Sequence, residues 1–156
     1  MANNYEQSTV TPKFPEAVCS PFVLQMLSDC GFEHEVWDGE VYFYSEEGTQ
    51  EDPFWWDDEV RADLTHYPEP SDDFDREIME AYSAGDSCPV DAYGVFQHLM
   101  PKANIEDVVI EGCYRSDKMR QGEFGGFITR VTPTEVQYGG TSTILAMMRN
   151  GQWPDD

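Results

Sequence analysis

Apolar residues recur at helical spacing in four stretches of the chain and at strand spacing in three others. The first helix is announced by Ser20-Pro21: a side-chain cap, then a residue whose missing N–H is no loss in the first turn. Phe22, Val23, Met26, Leu27 and Cys30 then share one face, and Gly31 supplies a left-handed stop. A second helix starts near Ser71, where Asp72 and Asp73 match the positive end of the helix dipole. Phe74, Ile78, Ala81 and Tyr82 form its stripe and Gly85 ends it. Residues 89–100 predict a third helix halted before Pro101, and 142–149 a fourth closed by Asn150-Gly151. A short helix is expected over 57–64, after a loop over 45–56.

Period-two alternation brackets Asp38-Gly39, whose two residues suit the positive φ angles of a tight hairpin turn. A hairpin over about 34–44 follows. Residues 107–114 and 124–131 are rich in β-branched and aromatic types, and the polar loop between them predicts an antiparallel pair. Thr132-Pro133-Thr134-Glu135 fits either a capping box or a turn. Residues 1–15, polar and holding Pro12 and Pro15, read as a flexible arm. Strands gather in hairpins and do not alternate with helices, so the fold class is α+β: a sheet packed by three to four helices. One domain over 16–151 and a short tail over 152–156 complete the expected organisation, which suits 156 residues.

Charge changes the picture more than composition does. The chain carries 31 acidic against 9 basic residues, a formal net charge of −22. Forty per cent hydrophobic residues are too many for a solvated acidic tail, so the charge decorates a folded domain. Such a field repels nucleic acid and anionic membrane, and direct contact with either is not expected. It favours a basic protein. Residues 29–80 hold 19 acidic residues and only Arg61 and Arg76 as bases, a local charge near −17, whereas 101–156 is close to neutral. The first residues show no basic and then apolar export pattern. Cys19, Cys30, Cys88 and Cys113 lack a paired framework, so reduced thiols in a cytoplasm are the expectation.

Catalytic motifs are weak. With one residue in five acidic, acid-x-acid spacings such as Glu33/Glu35, Asp57/Glu59 and Asp73/Asp75 arise by chance. Asp72 to Glu77 has the acidity of a calcium loop without the glycine its sharp turn needs. His34, His66 and His98 stand apart from one another and from the cysteines, so no metal or other cofactor is expected. No nucleophile elbow or phosphate loop occurs. Arg115, Lys118 and Arg120 form a small basic loop whose plain reading is neutralisation of acidic neighbours.

Carboxylates interleaved with large aromatics remain as the candidate function. Glu46, Glu47, Asp52, Asp57, Asp58, Glu59, Asp72 and Asp73 are the expected phosphate surrogates, with Trp55 and Trp56 as aromatic anchors. The reading is a non-enzymatic acidic binding protein docking on a basic partner. Its sharper form is a nucleic-acid mimic that inhibits a DNA- or RNA-binding or host-defence protein. Duplex DNA carries a charge per roughly 1.7 Å, so 22 charges match about 37 Å of helix, near the ~40 Å span of such a domain. Acidity serving only solubility or high salt is the alternative, and a carboxylate hydrolase a more distant one.

Overall fold

The computed structural model describes residues 4–51, 67–86 and 88–154. Its centre is one antiparallel sheet of β1 (Asn4–Thr11), β2 (Phe14–Pro15), β3 (Glu33–Trp37), β4 (Glu40–Ser45), β5 (Val108–Ser116), β6 (Gly125–Val131) and β7 (Val136–Gly140). Across the sheet the order is β3–β4–β1–β5–β6–β7, and β2 pairs with β4 at Phe14 and Val41 beyond the end of β1. The helices are α1 (Pro21–Asp29), α2 (Asp73–Ala84), α3 (Ala92–Ala103) and α4 (Thr141–Arg149). This is the α+β class that the pattern predicts. The short helix expected over 57–64 lies outside the described residues.

Local chemistry explains most element ends. Ser20 Oγ accepts the Val23 N–H at 3.1 Å and Pro21 occupies the first turn of α1. Asp72, one residue past the expected Ser71, caps α2 by accepting the Asp75 N–H at 2.8 Å. Ser71 instead donates through its N–H and Oγ to the buried Asp75 carboxylate. Asp38 and Gly39 take φ values of 52° and 75°, making the β3–β4 hairpin turn.

Two expectations are corrected, and one open choice is decided. The supposed N-terminal arm over 1–15 contains a central strand: β1 pairs with β5 from Asn4 to Thr11 and with β4 at Ser8 and Thr9. Its inward positions include Glu6 and Ser8 beside Val10, so hydrophobic alternation does not mark it. Helix α3 starts and ends later than expected, at Ala92 and Ala103, and contains Pro101 in its last turn. Asp91 caps it and Asn104 closes it at φ 57°, donating to the Met100 and Pro101 carbonyls. Finally, 132–135 is a turn that leads into β7, where the Thr132 N–H meets the Glu135 carbonyl at 2.9 Å.

One face of the sheet carries the core. Val10, Val41, Phe43, Val108, Ile110 and Val131 pack there against Phe22, Met26, Leu27, Val95, Phe96 and Leu99. Phe96 of α3 is the hub, with rings of Phe14, Phe32 and Phe43 at 5.8, 5.2 and 5.6 Å. Two of those contacts are edge-to-face, the geometry the ring quadrupole prefers. Each buried Phe contributes roughly 1.5–3 kcal/mol of burial energy, which fixes the sheet against α1 and α3. Helix α4 has no buried residue and leaves Ile144, Leu145 and Met148 exposed at the β6–β7 edge. Among the described residues no helix is long and apolar enough to cross a membrane.

Candidate binding surfaces

Strand pleating sorts the acidic front into two faces. Val41 and Phe43 point to the core, so their neighbours Glu40, Tyr42 and Tyr44 point to the opposite face. The register places Glu35 opposite Tyr42, Glu33 opposite Tyr44 and Trp37 opposite Glu40. On the other flank Thr9 sits beside Tyr44 and Glu111 beside Thr9. The result is one outward surface in which carboxylates and rings alternate. Glu33, Glu35, Trp37 and Glu40 are all exposed, with Trp37 at 81%.

The surface is organised by its own contacts. Tyr42 and Tyr44 stack at 5.5 Å with 19° between planes. Burial raises the Tyr44 hydroxyl above its ordinary range, and the charges of Glu35, Glu33 and Glu46 push it further. Three carboxylates therefore converge on one phenol. The Glu46 N–H donates to Glu33 Oε2 at 3.1 Å, which draws the end of β4 over β3. Across β4, β1 and β5 beside them runs a shallow groove of about 660 Å³ lined by Thr9, Glu35, Tyr42, Tyr44, Glu46 and Glu111. No described ion pair reaches Glu33, Glu35, Glu40 or Glu46. Toward β6 the same face turns mixed: Arg115 lies 4.5 Å over the Tyr5 ring, and Arg130 bonds Asp107 at 3.0 Å.

The expected phosphate surrogates separate. Glu46 joins this acidic groove, and the exposed Glu47 follows it in the chain. Asp72 is engaged twice, accepting the Asp75 N–H through Oδ1 and pairing with Lys102 through Oδ2 at 3.0 Å. Asp73 is fully exposed and pairs with Arg76 at 2.7 Å. Asp52, Trp55, Trp56, Asp57, Asp58 and Glu59 lie outside the described residues. Sequence reasoning passed over Glu33 and Glu35 as chance spacings. The available signal was their phase: Glu-x-Glu-x-Trp, an Asp-Gly turn, then Glu-x-Tyr-x-Tyr puts every second side chain on one face.

A second concavity, of about 470 Å³, opens on the helix-bearing face where the helical layer stops short of the sheet end. Glu6, Tyr114, Phe127 and Tyr138 floor it from four strands, while Glu51 and Tyr93 rise beside them. Among the described residues no group of three His, Cys, Asp or Glu side chains gathers as metal ligands. No protein-family model, curated protein or solved structure matches the chain.

Proposed function

We propose that the protein is a non-enzymatic acidic docking module whose outer β3–β4 face receives the basic surface of a partner protein. The observation that carries this reading is the set Glu33, Glu35, Glu40 and Glu46, exposed, outside every described ion pair and interleaved with Trp37, Tyr42 and Tyr44. The carboxylates steer arginine- and lysine-rich surfaces and speed encounter, while the rings supply desolvated contact area. In its sharper form the partner is a nucleic-acid-binding or host-defence protein of the cytoplasm, inhibited by occupation of its phosphate-binding groove.

Charge density bears on how that groove is matched. Along the β3 axis Glu33, Glu35 and Glu40 (opposite Trp37) stand two residues apart, and Glu46 on the β4 side extends the row by one further step, so carboxylates recur about every 7 Å. One nucleic-acid strand carries a charge per about 3.4 Å of axis and the duplex one per about 1.7 Å. The face thus has about half the line density of a single strand, and the 52–66 segment adds carboxylates of its own in sequence.

The test is capture of partners from a host lysate at low salt by the wild-type chain and by a triple Glu33→Lys, Glu35→Lys, Glu46→Lys variant. All three side chains are exposed, so the unfolding free energy should change by about 1.5 kcal/mol or less. The expected result is a basic nucleic-acid-binding protein held by wild type, displaced by DNA and lost by the variant. Retention of every partner by the variant would sink the docking face. Failure of DNA to compete would sink mimicry and leave acidic docking.

A further inference from the structure

The concavity on the helix-bearing face has a construction of its own. Rows across the sheet alternate rings with glycines: Glu6, Tyr114 and Gly125 in one, then Ser8, Gly112, Phe127 and Gly140 in the next. A Cβ on Gly112 would lie 2.5 Å from the tip of the Phe127 ring, and one on Gly125 would lie 2.5 Å from Tyr114 Cζ. The glycines therefore let both rings reach over the neighbouring strands, where both line the cavity. Only residues without a side chain allow that approach. Tyr93 of α3 and Tyr138 of β7 meet edge-to-face at 6.1 Å and 71° to form the wall.

Among the described residues, charge on this site has one sign: the lining holds Glu6 and Glu51 and no Lys, Arg or His. The Glu51 carbonyl accepts the Ala92 N–H at 2.7 Å, which ties the 49–51 loop to the start of α3 beside Tyr93. Glu51 lines the cavity with both rings, and burial raises the hydroxyls of Tyr93 and Tyr138, with the negative charges of Glu51 and Asp91 raising them further. The N-terminus of α4 also faces the cavity through Thr141, Ser142 and Thr143. Its dipole is worth about half a positive charge, less than the two carboxylates opposing it.

From this lining of aromatic rings, two carboxylates and hydroxyls, we propose that the pocket binds a guanidinium group. A planar cation stacks on aromatic rings, and its forked N–H donors suit a carboxylate in a way that a quaternary ammonium cannot. The site lies on the opposite side of the sheet from the β3–β4 docking face and does not depend on that face being used. The guanidinium comes either from an arginine side chain of a protein or from a small free guanidine. Both present the same chemistry to Glu6, Glu51, Tyr114 and Phe127.

The experiment titrates the full chain at low salt with N-acetyl-argininamide and with its uncharged isostere N-acetyl-citrullinamide, following amide shifts by heteronuclear NMR. Saturable shifts at Gly125, Gly126 and Gly140 are expected for the arginine probe, with citrulline binding at least about tenfold more weakly. Glu51→Gln, at an exposed side chain, should weaken the arginine probe about tenfold while leaving the remaining spectrum in place. Tyr138→Ala, also at an exposed position, should do the same. Agmatine and a Gly-Arg-Gly peptide separate the sources: tighter agmatine binding marks a small guanidine, and a tighter peptide marks a protein arginine. Equal binding of citrulline, shifts mapping to β3–β4, or no saturation at tens of millimolar would each overturn the proposal. The Glu33→Lys, Glu35→Lys, Glu46→Lys variant should bind the arginine probe as wild type does, so loss of partner docking and loss of this pocket are read separately.

Discussion

Asp72 stands where a helix start, a lysine and a histidine meet, and its charge can be separated from its capping role. Partial burial disfavours its ionised form, but the Asp75 N–H and Lys102 outweigh that and hold the carboxyl down at about 2, with His98 adding a smaller pull. A folded-state value below the unfolded one means stability present above about pH 4 and lost as pH falls through the folded value. Because the side chain is 36% exposed, solvent screening reduces the contribution to about 1 kcal/mol. Asp72→Asn keeps an oxygen that can accept the Asp75 N–H but removes the attraction to Lys102. Urea midpoints should therefore favour wild type at pH 6–7, and that advantage should shrink to nothing between pH 4 and 2. An advantage undiminished near pH 2 would show that packing, not charge, is the source. The capping half of this role was readable, since Asp72 and Asp73 follow a break and precede an apolar stripe. The pairing with Lys102, 30 residues away, has no trace in local sequence.

At the scale of elements, β1 decides whether the sheet is one body. Among the described strands it alone joins the β3–β4 hairpin to β5, β6 and β7, since β4 and β5 do not pair with each other. A chain lacking residues 1–11 would therefore expose two new sheet edges, and Val10 would leave the core. The expected outcome is loss of a cooperative urea transition, with amide protection vanishing first in β4 and β5. A truncated chain that unfolds at the wild-type midpoint would contradict this central position. The strand escaped sequence reading because its partners are remote and its inward residues include Glu6 and Ser8. The elements that were legible, α1, α2, α4 and the Asp38-Gly39 hairpin, carry their boundary signals within a few residues. Strand β7 was missed because Tyr138 has glycines after it and only Val136 before it to mark a pattern. The same limit applies to the two surfaces. Glu33 and Glu35 gain meaning once β3 has a phase, whereas the glycine-supported pocket exists only after four strands align.

On the whole molecule, the charge is concentrated and four of the described cations are committed. Arg76, Lys102 and Arg130 each pair with a carboxylate within 3.0 Å, and Arg115 covers Tyr5. The carboxylates of the outer β3–β4 face lie outside those pairs and repel one another and the rest of a chain whose total net charge is −22. Added salt should then act with opposite signs on folding and on partner binding. Raising ionic strength from about 0.15 M to 1 M shortens the screening length from about 8 Å to about 3 Å. Folded-state repulsion falls, so the melting temperature should rise with salt, while the attraction to a basic partner falls and its dissociation constant should climb at least tenfold. The core of Phe14, Phe22, Phe32, Phe43 and Phe96 already gives a folded chain a reason to persist in ordinary buffer. A protein made acidic only for high salt would behave differently, folding near molar salt and losing cooperative melting at about 0.1 M. Calorimetric scans and partner titrations over the same salt series distinguish the two. Melting that rises while affinity falls supports a docking face, and affinity indifferent to salt would mean that the carboxylates of β3 and β4 are not what the partner meets.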